Sequence, residues 1–201
     1  MIKMAKEEKL LIPLEKYLQA GVHIGTKYKT KHMSPFVYKT NPDGLAIMDI
    51  QQIDKRLAIA GKFLSKYSPK EIVVVGRREN AWRPIKAFAK VTGALEFAGR
   101  YKAGVITNPL LDDYIEPKVM VVVDPWLDKN AIHDAMLRCI PVVSLVDTNN
   151  TTNKIDLAIP CNNRGDKALG VVFWVLANQY LKERKEIKKD LDIPVEKFYE
   201  E

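Results

Sequence analysis

Three aspartates lie at the ends of short apolar runs, where carboxylates can do chemistry. They are Asp49, Asp124 and Asp147. At the carboxyl ends of parallel strands, such side chains can hold Mg²⁺ or Mn²⁺ and support phosphoryl transfer or hydrolysis. The structural alternative is that each aspartate ends a strand and caps the helix or turn that follows. We favour the structural role and keep a metal-dependent enzyme that uses these three residues as the alternative.

Other catalytic signatures are missing from the sequence. The apolar run that ends at Val75 is followed by Gly-Arg-Arg-Glu-Asn, which lacks the several glycines of a dinucleotide-binding turn. Residues 21–27 have the wrong spacing for a phosphate loop and follow a predicted helix instead of a strand. The three histidines are scattered, and no serine or cysteine stands in a nucleophile motif. We expect no catalytic residue, no cofactor, no bound metal and no small-molecule substrate.

The segment 21–40 has the residue types of a nucleic-acid contact. It contains no acidic residue and combines basic with aromatic side chains: Lys27, Tyr28, Lys29, Lys31, His32, Phe36, Tyr38 and Lys39. Lysines contact phosphates, and aromatic rings can stack on unpaired RNA bases. The alternative is a solvated basic loop whose aromatic rings belong to the core.

A second set of cations follows the apolar runs. After the second run come Arg77, Arg78, Arg83, Lys86 and Lys90, after the third come Arg100 and Lys102, and after the last comes Arg164. Because the carboxyl ends of parallel strands share one edge, we expect these side chains to form one cationic rim. The guanidinium group suits bidentate phosphate binding. Residues 161–165 could also face phosphate, or could form a tight turn closed by asparagine side chains.

The elements that must position these residues are read from hydrophobic patterning. Apolar runs of strand length occupy residues 45–50, 72–75, 95–98, 119–123, 142–146 and 155–159. Their continuous apolarity indicates strands buried on both faces, as in a parallel sheet covered by helices. The spacing leaves room for crossover helices. The sequence therefore predicts an α/β, doubly wound, mostly parallel sheet flanked by helices.

Helices are predicted in the intervening segments. Residues 53–67 form an apolar stripe after a capping box of Asp49 and Gln52, and a second helix covers about 81–91 with Trp82 facing inward and Pro84 in its first turn. A shorter helix follows Asp128 and buries Met136. The last helix covers 167–185 and is apolar on nearly all sides, and a short one covers 13–20.

Composition places the chain among globular proteins with an uneven charge distribution. The 201 residues carry a formal net charge of +7. Residues 21–102 hold 16 Lys and Arg against 6 Asp and Glu, whereas residues 103–160 hold 4 against 8. This asymmetry favours one face for a polyanion and another face for solvent or a basic protein partner.

The sequence also predicts organisation and location. We expect one α/β domain over residues 1–189, including the N-terminal helix and the basic loop, and an acidic tail over 190–201. Cys139 and Cys161 are expected to be reduced, small core side chains. No apolar run is long enough to span a bilayer and no secretory signal opens the chain, so we expect a cytoplasmic protein without a membrane partner.

Several ordered segments resemble one known family. They are QAGVHIG (19–25), DGLAIMD (43–49), GRYKAGVITNP (99–109), VVDP (122–125), IPVV (140–143), VDTN (146–149) and IPCNNRG (159–165). Together they resemble the archaeal form of the second small-subunit ribosomal protein, a family related to the eukaryotic laminin-receptor proteins. Bacterial members carry a coiled-coil insertion after the Thr-Asn segment, whereas only residues 109–117 stand here.

The resemblance implies a flavodoxin-like sheet without that insertion. It also implies a non-enzymatic constituent of the small ribosomal subunit that binds its rRNA and neighbouring ribosomal proteins in translation. Within this interpretation, charge and position assign the RNA contacts to Lys27, Lys29, Lys31, His32, Arg77, Arg78, Arg83, Arg100, Lys102 and Arg164. Thr107 and Asn108 are expected to shape the loop that presents Arg100 and Lys102.

Overall fold

A computed structural model describes residues 10–187 and 191–199 of the chain. The helices and strands follow one another as α1 (Leu14–Gln19), β1 (Val37–Thr40), β2 (Ala46–Met48), α2 (Ile50–Leu64), β3 (Ile72–Gly76), α3 (Glu79–Thr92), β4 (Leu95–Ala98), β5 (Val119–Val122), α4 (Lys129–Leu137), β6 (Val142–Val146), β7 (Leu157–Pro160) and α5 (Asp166–Glu183). None of the helices in this described part could cross a membrane.

Five strands form one parallel sheet in the order β4-β3-β5-β6-β7. Counted from β3, this is the order 2-1-3-4-5 of flavodoxin-like folds. β3 and β6 are buried along their whole length, as expected for strands covered on both faces. The predicted doubly wound α/β sheet and its flavodoxin-like character are confirmed.

The first predicted strand does not belong to this sheet. Of the run 45–50, only β2 is extended, and it pairs antiparallel with β1 in a separate two-stranded sheet. The turn between them contains Gly44 at φ +84°, a conformation that suits glycine, and the Gly44 N–H donates to the carbonyl of Asn41. The run is apolar because this hairpin covers the core, so apolarity alone could not identify its pairing partner.

Each face of the parallel sheet packs against a different layer. α2, α3 and α5 cover one face, where Val74 and Val121 point. On the other face, Val73 and Val122 pack against α4 and the connection from β4 to β5. Crossovers that run in opposite directions across a sheet lie on opposite faces when both are right-handed, and this arrangement fits that rule.

Helix α5 lies at the centre of the larger layer. Thirteen of its eighteen residues are buried, which confirms the prediction of a helix apolar on nearly all sides. Gly61 of α2 allows the close approach, because a Cβ there would come within 2.5 Å of the Gln179 side chain. α5 thereby supports α2 and α3, and through them the strands.

Four sequence predictions about single residues are wrong. Trp82 is 38% exposed at the side of α3, and Met136 is 43% exposed, because only one narrow face of each helix meets the sheet. Pro84 lies in the second turn, since α3 begins at Glu79. Cys139 is exposed and adopts φ +54° in the turn after α4, whereas Cys161 is buried as expected.

Both ends of the described chain are fastened to the helical layer. The buried Asp54 carboxylate accepts hydrogen bonds from the Tyr17 hydroxyl (2.8 Å) and the Leu11 N–H (3.0 Å). At the other end, the Trp174 indole donates to the carbonyl of Ile193 at 2.8 Å, and Phe198 is fully buried. The predicted division of the chain at residue 189 lies outside the described residues and stays a prediction.

Candidate nucleic-acid interface

The carboxyl ends of the five strands form an edge about 19 Å wide at the usual strand spacing of about 4.8 Å. Arg78 follows β3 and reaches across to Asp124, which follows β5. Its Nε donates to Asp124 Oδ2 at 2.9 Å, and its Nη2 donates to the same oxygen. Asp124 is 1% exposed, and the pair spans the ends of β3 and β5 at the strand-order reversal, where flavodoxin-like proteins place their ligands.

A second arginine faces a buried aspartate on the other side of the edge, at a longer distance. Arg164, after β7, places its Nε 3.5 Å from Oδ2 of Asp147, which is buried at the end of β6. The side chain of Arg164 remains 48% exposed. Asn162 shapes the turn beneath it, because its Oδ1 accepts from the N–H groups of Arg164 and Gly165. The predicted asparagine turn is therefore present.

Two buried asparagines join these ion pairs into one network. Asn150 Nδ2 donates to Asp124 Oδ1 at 3.2 Å, and Asn150 Oδ1 accepts from the Asp147 N–H at 2.8 Å. Asn163 Nδ2 donates to Asn150 Oδ1 at 3.0 Å and to the carbonyl of Val123 at 3.2 Å. The ends of β5, β6 and β7 are thus joined by side-chain hydrogen bonds, although the buried Asn163 Oδ1 has no partner among the described residues.

The basic loop, defined here as residues 25–32, is fastened to the segment after β6. Thr148 Oγ1 accepts from the Thr26 N–H at 2.9 Å, and the Thr148 carbonyl accepts from the Thr30 N–H at 2.9 Å. Thr30 Oγ1 donates to the Asn150 carbonyl at 2.7 Å. Gly25 is required at this contact, because a Cβ there would lie 2.5 Å from Thr148 Cγ2. The loop is therefore continuous with the buried network.

The predicted RNA contacts of the basic loop all lie on its exposed side. Lys27, Lys29 and Lys31 are exposed, and Lys29 donates to Thr40 Oγ1 at 2.7 Å. His32 is also exposed, and its Nδ1 lies 3.0 Å from Thr152 Oγ1. Lys29 thus lies beside the end of β1, whereas His32 lies beside the segment that follows β6.

The remaining predicted contacts are more widely spread. Arg77 is exposed after β3, and Arg100 and Lys102 are exposed after β4, where Lys102 pairs with Asp113. Asn108 shapes this connection, since its Oδ1 accepts from the Leu110 N–H at 3.1 Å. Arg83 instead faces a cavity beside the C-terminal segment. The structure therefore brings most, but not all, of the predicted cations to one edge.

Burial changes the protonation of the acidic groups beneath this edge. Burial raises the pKa of Asp128 to about 6, and the neighbouring Asp124 carboxylate adds to the rise. Burial also raises the pKa of Asp147, against which the Thr148 N–H and Arg164 act. The counterions of Arg78 and Arg164 are Asp124 and Asp147, whose side chains are both 1% exposed.

The three aspartates of the metal hypothesis do not act together. Asp49 caps α2, where its Oδ1 accepts from the Gln51 N–H at 3.0 Å, while Asp124 and Asp147 face arginines. The predicted cap at Asp49 is confirmed, although the reciprocal Gln52 contact is not among its bonds. Among residues 10–187 and 191–199, no three His, Cys, Asp or Glu side chains are grouped so that they could hold a metal ion.

Sequence reasoning missed the residues that organise the site. The sequence pattern around Thr148, Asn150 and Asn163 indicates no more than turns, yet these residues connect the basic loop to the arginine pairs. Asp124 and Asp147 cap turns as predicted, through the N–H groups of Trp126 and Thr148, but the prediction does not include their arginine partners. The available signal was the combination of acids and arginines at neighbouring strand ends.

Comparison with known proteins gives consistent matches. The family model described as Ribosomal protein S2 matches residues 17–111 and 112–182. The chain is 52% identical to a protein of Nanoarchaeum equitans over 94% of each chain. It is 48% identical to one of Saccharolobus solfataricus, over 94% of this chain and 83% of the relative, and 49% identical to one of Staphylothermus marinus, over 92% and 84%. Each of these relatives is named small ribosomal subunit protein uS2.

Proposed function

Because the chain belongs to the ribosomal protein S2 family, we propose that it is a structural, non-enzymatic constituent of the small ribosomal subunit. It binds small-subunit rRNA through the carboxyl edge of its sheet. The observation that carries this proposal is the hydrogen-bonded connection from the basic loop through Thr148 and Asn150 to the Arg78–Asp124 pair. A cationic surface that is held rigid before binding loses less conformational entropy when it meets RNA.

The proposed contacts divide into two groups by their surroundings. Exposed cations without a buried acidic partner meet phosphates most directly, and these are Lys27, Lys29, Lys31, His32 and Arg100. Arg77 is also exposed but contributes in part, because its charge already acts on the buried Asp128 carboxylate. Arg164 and Lys102 combine an acidic partner with substantial exposure and contribute in part. Arg78, of which 26% of the side chain is exposed, mainly positions the edge, and Arg83 lies away from it.

The acidic region supports a second kind of contact. The surplus of carboxylates in residues 103–160 includes exposed Asp112, Asp113 and Glu116 on the connection from β4 to β5. The acidic part of this connection, residues 112–116, would attract a basic protein. We therefore propose that neighbouring ribosomal proteins bind here, and that the protein works in cytoplasmic ribosomes. No observation favours the enzymatic alternative, since Asp124 and Asp147 are neutralised internally.

Sedimentation with salt titration tests the proposal. The protein is expected to sediment with small subunits at low salt, and its affinity for small-subunit rRNA should fall linearly on a log-log plot against salt. Lys31→Ala should lower the slope by about one. The matched control is Lys70→Ala, an exposed lysine two residues before β3 at the opposite edge, which should leave the slope unchanged. A protein that remains free of small subunits at low salt would contradict the proposal.

A further inference from the structure

A groove runs along the outer side of α3, away from the strand ends. It has a volume of about 730 Å³ and lies between α3 and the C-terminal segment 191–199. The core-facing side of α3 is already used, because Ile85 and Phe88 are fully buried against the helical layer. The groove therefore lies on a separate flank of this helix.

The floor of the groove is apolar and only partly covered by the protein itself. Ala87 and Val91 line it from α3, and Leu181, Leu191 and Ile193 line it from the other side. Four of these side chains are half-buried and Leu181 is 6% exposed. Covering half-buried apolar surface in a concave site with a second apolar surface is favourable, because it removes that surface from water.

The walls of the groove are held in place before any partner arrives. The hydrogen bond from Trp174 Nε1 to the Ile193 carbonyl and the buried ring of Phe198 fasten the C-terminal segment to α5. Gly170 of α5 admits the Tyr199 ring, because a Cβ there would lie 2.6 Å from a ring carbon. A preformed groove binds without first paying for loop ordering.

The rim of the groove is cationic. Arg83, Lys86 and Lys90 recur along α3 at helical spacing, and Lys197 stands on the opposite wall. No carboxylate is among the described residues that line the groove. An occupant must therefore combine apolar side chains for the floor with acidic groups for the rim.

We propose that this groove docks an acidic amphipathic segment of a partner protein. From Arg83 to Val91 the helix rises about 12 Å, which matches about two turns of a bound helix. Such a segment places apolar side chains at i and i+4 on the floor and Asp or Glu side chains on both flanks, beside the lysines. The proposal does not depend on rRNA binding at the carboxyl edge.

RNA fits this groove less well than a peptide. Binding of unpaired bases uses exposed aromatic rings, whereas the aromatic ring that lines this groove, Phe198, is fully buried. Lys90 also lies about 16 Å along α3 from the strand-end side, so the groove points away from the basic edge. A recessed apolar floor between cations is instead typical of grooves that bind helices.

Binding of designed peptides to the full chain tests the proposal. The probe is a synthetic amphipathic helix with leucines at i and i+4 flanked by glutamates. One control peptide replaces the glutamates with lysines, and another keeps the glutamates but replaces the leucines with serines. We expect the first peptide to bind at least tenfold more tightly than either control and to shift the methyl resonances of Val91, Leu181, Leu191 and Ile193.

Charge reversal on the rim separates this site from general attraction to a basic protein. The double variant Lys86→Glu/Lys90→Glu should weaken binding of the acidic peptide about tenfold or more. Lys62→Glu, at an exposed lysine of α2, is the control and should change it less than threefold. Equal binding by the double variant and the control would overturn the proposal. So would shifts of the same methyl groups by a uridine oligonucleotide but not by the peptide.

Discussion

The arginines at the strand ends and the lysines of the basic loop carry the same charge in opposite surroundings. Arg78 donates twice to a carboxylate that is 1% exposed, so its charge is largely compensated inside the protein. Lys27 and Lys31 are exposed on a loop without a single acidic residue. Positive charge in a sequence therefore does not measure the charge that a ligand meets.

Because of this difference in surroundings, the strand-end arginines should contribute mainly to stability and the lysines of the basic loop mainly to RNA binding. Removing a buried ion-pair partner leaves an uncompensated charge and is costly to stability, whereas an exposed lysine contributes little to stability but interacts with a polyanion at long range. The strand ends should therefore respond to mutation in unfolding experiments, and the loop in binding experiments.

The largest expected effect is at the arginine of the buried pair. Arg78→Met leaves Asp124 with only the Trp126 N–H and the Asn150 amide as donors, and should lower the free energy of unfolding by about 3 kcal/mol. For a chain of this size, the melting temperature should fall by about 6–12 °C in calorimetry. Adding Asp124→Asn should restore part of the loss, because it removes the unpaired charge. Losses that simply add would show that the two side chains are not coupled.

A pH titration sharpens the comparison at the same edge. Because the pKa of Asp128 is raised to about 6 in the folded protein, the folded state binds a proton more tightly than the unfolded state between about pH 4 and 6. Its contribution therefore favours folding at low pH and is lost as pH rises through about 6. Asp128→Asn should remove this trend, so that the stability difference between wild type and variant changes by about 2 kcal/mol between pH 4 and 7.

Denaturant unfolding at several pH values measures this difference. Asp134→Asn is a control on the same helix, whose carboxylate accepts from the Tyr101 hydroxyl and the Gly104 N–H. It removes a hydrogen-bonded carboxylate from the same part of the fold and should lower the free energy of unfolding. A difference between wild type and Asp128→Asn that is constant across this range would contradict a raised Asp128 pKa.

An intermediate effect is expected at Thr148, whose hydrogen bonds join the basic loop to the strand ends. Thr148→Val keeps the shape of the side chain but removes the acceptor for the Thr26 N–H, and should cost about 1 kcal/mol in unfolding free energy. It should also weaken rRNA binding about threefold without changing the salt slope, because the lysines remain but are held less rigidly. Thr152→Val, which removes only the contact with exposed His32, is the matched control.

The smallest effect on stability is expected in the basic loop. Lys27→Ala/Lys31→Ala should change the free energy of unfolding by less than about 0.5 kcal/mol, because both side chains are exposed. The same double variant should lower the salt slope of rRNA binding by about two. A fall in stability with an unchanged salt slope would contradict the assignment of RNA binding to the basic loop.

Much of the fold could be predicted, because strands that are buried on both faces have continuously apolar sequences. The runs at β3, β5 and β6 are continuously apolar, and the stripe of α2 is regular. The pairing of β2 was not predictable in this way, since a covered hairpin and a sheet strand have the same composition. The inward orientation predicted for Trp82 is wrong for a related reason. One step along a helix turns a side chain by about 100°, so a small error in placing the buried face moves a residue out of the core.

The candidate site was predictable in its place but not in its connections. Parallel strands bring their carboxyl ends to one edge, so the position of Arg78 and Arg164 followed from the pattern. Which acid faces which arginine depends on strand order, and the apolar runs do not encode that order. The hydrogen bond between Thr26 and Thr148 joins residues more than a hundred positions apart. It depends on the conformation of the basic loop, for which the sequence contains no local signal.

Hydrogen–deuterium exchange of the free protein and of the protein bound to small ribosomal subunits tests the central claim most directly. Docking through the carboxyl edge predicts that binding slows exchange in residues 25–32 and 162–165, since these segments present the cations of the edge. Residues 67–71 and 137–141, which precede β3 and β6 at the opposite edge, should exchange as in the free protein. Slowed exchange at the opposite edge alone would contradict docking through the carboxyl edge.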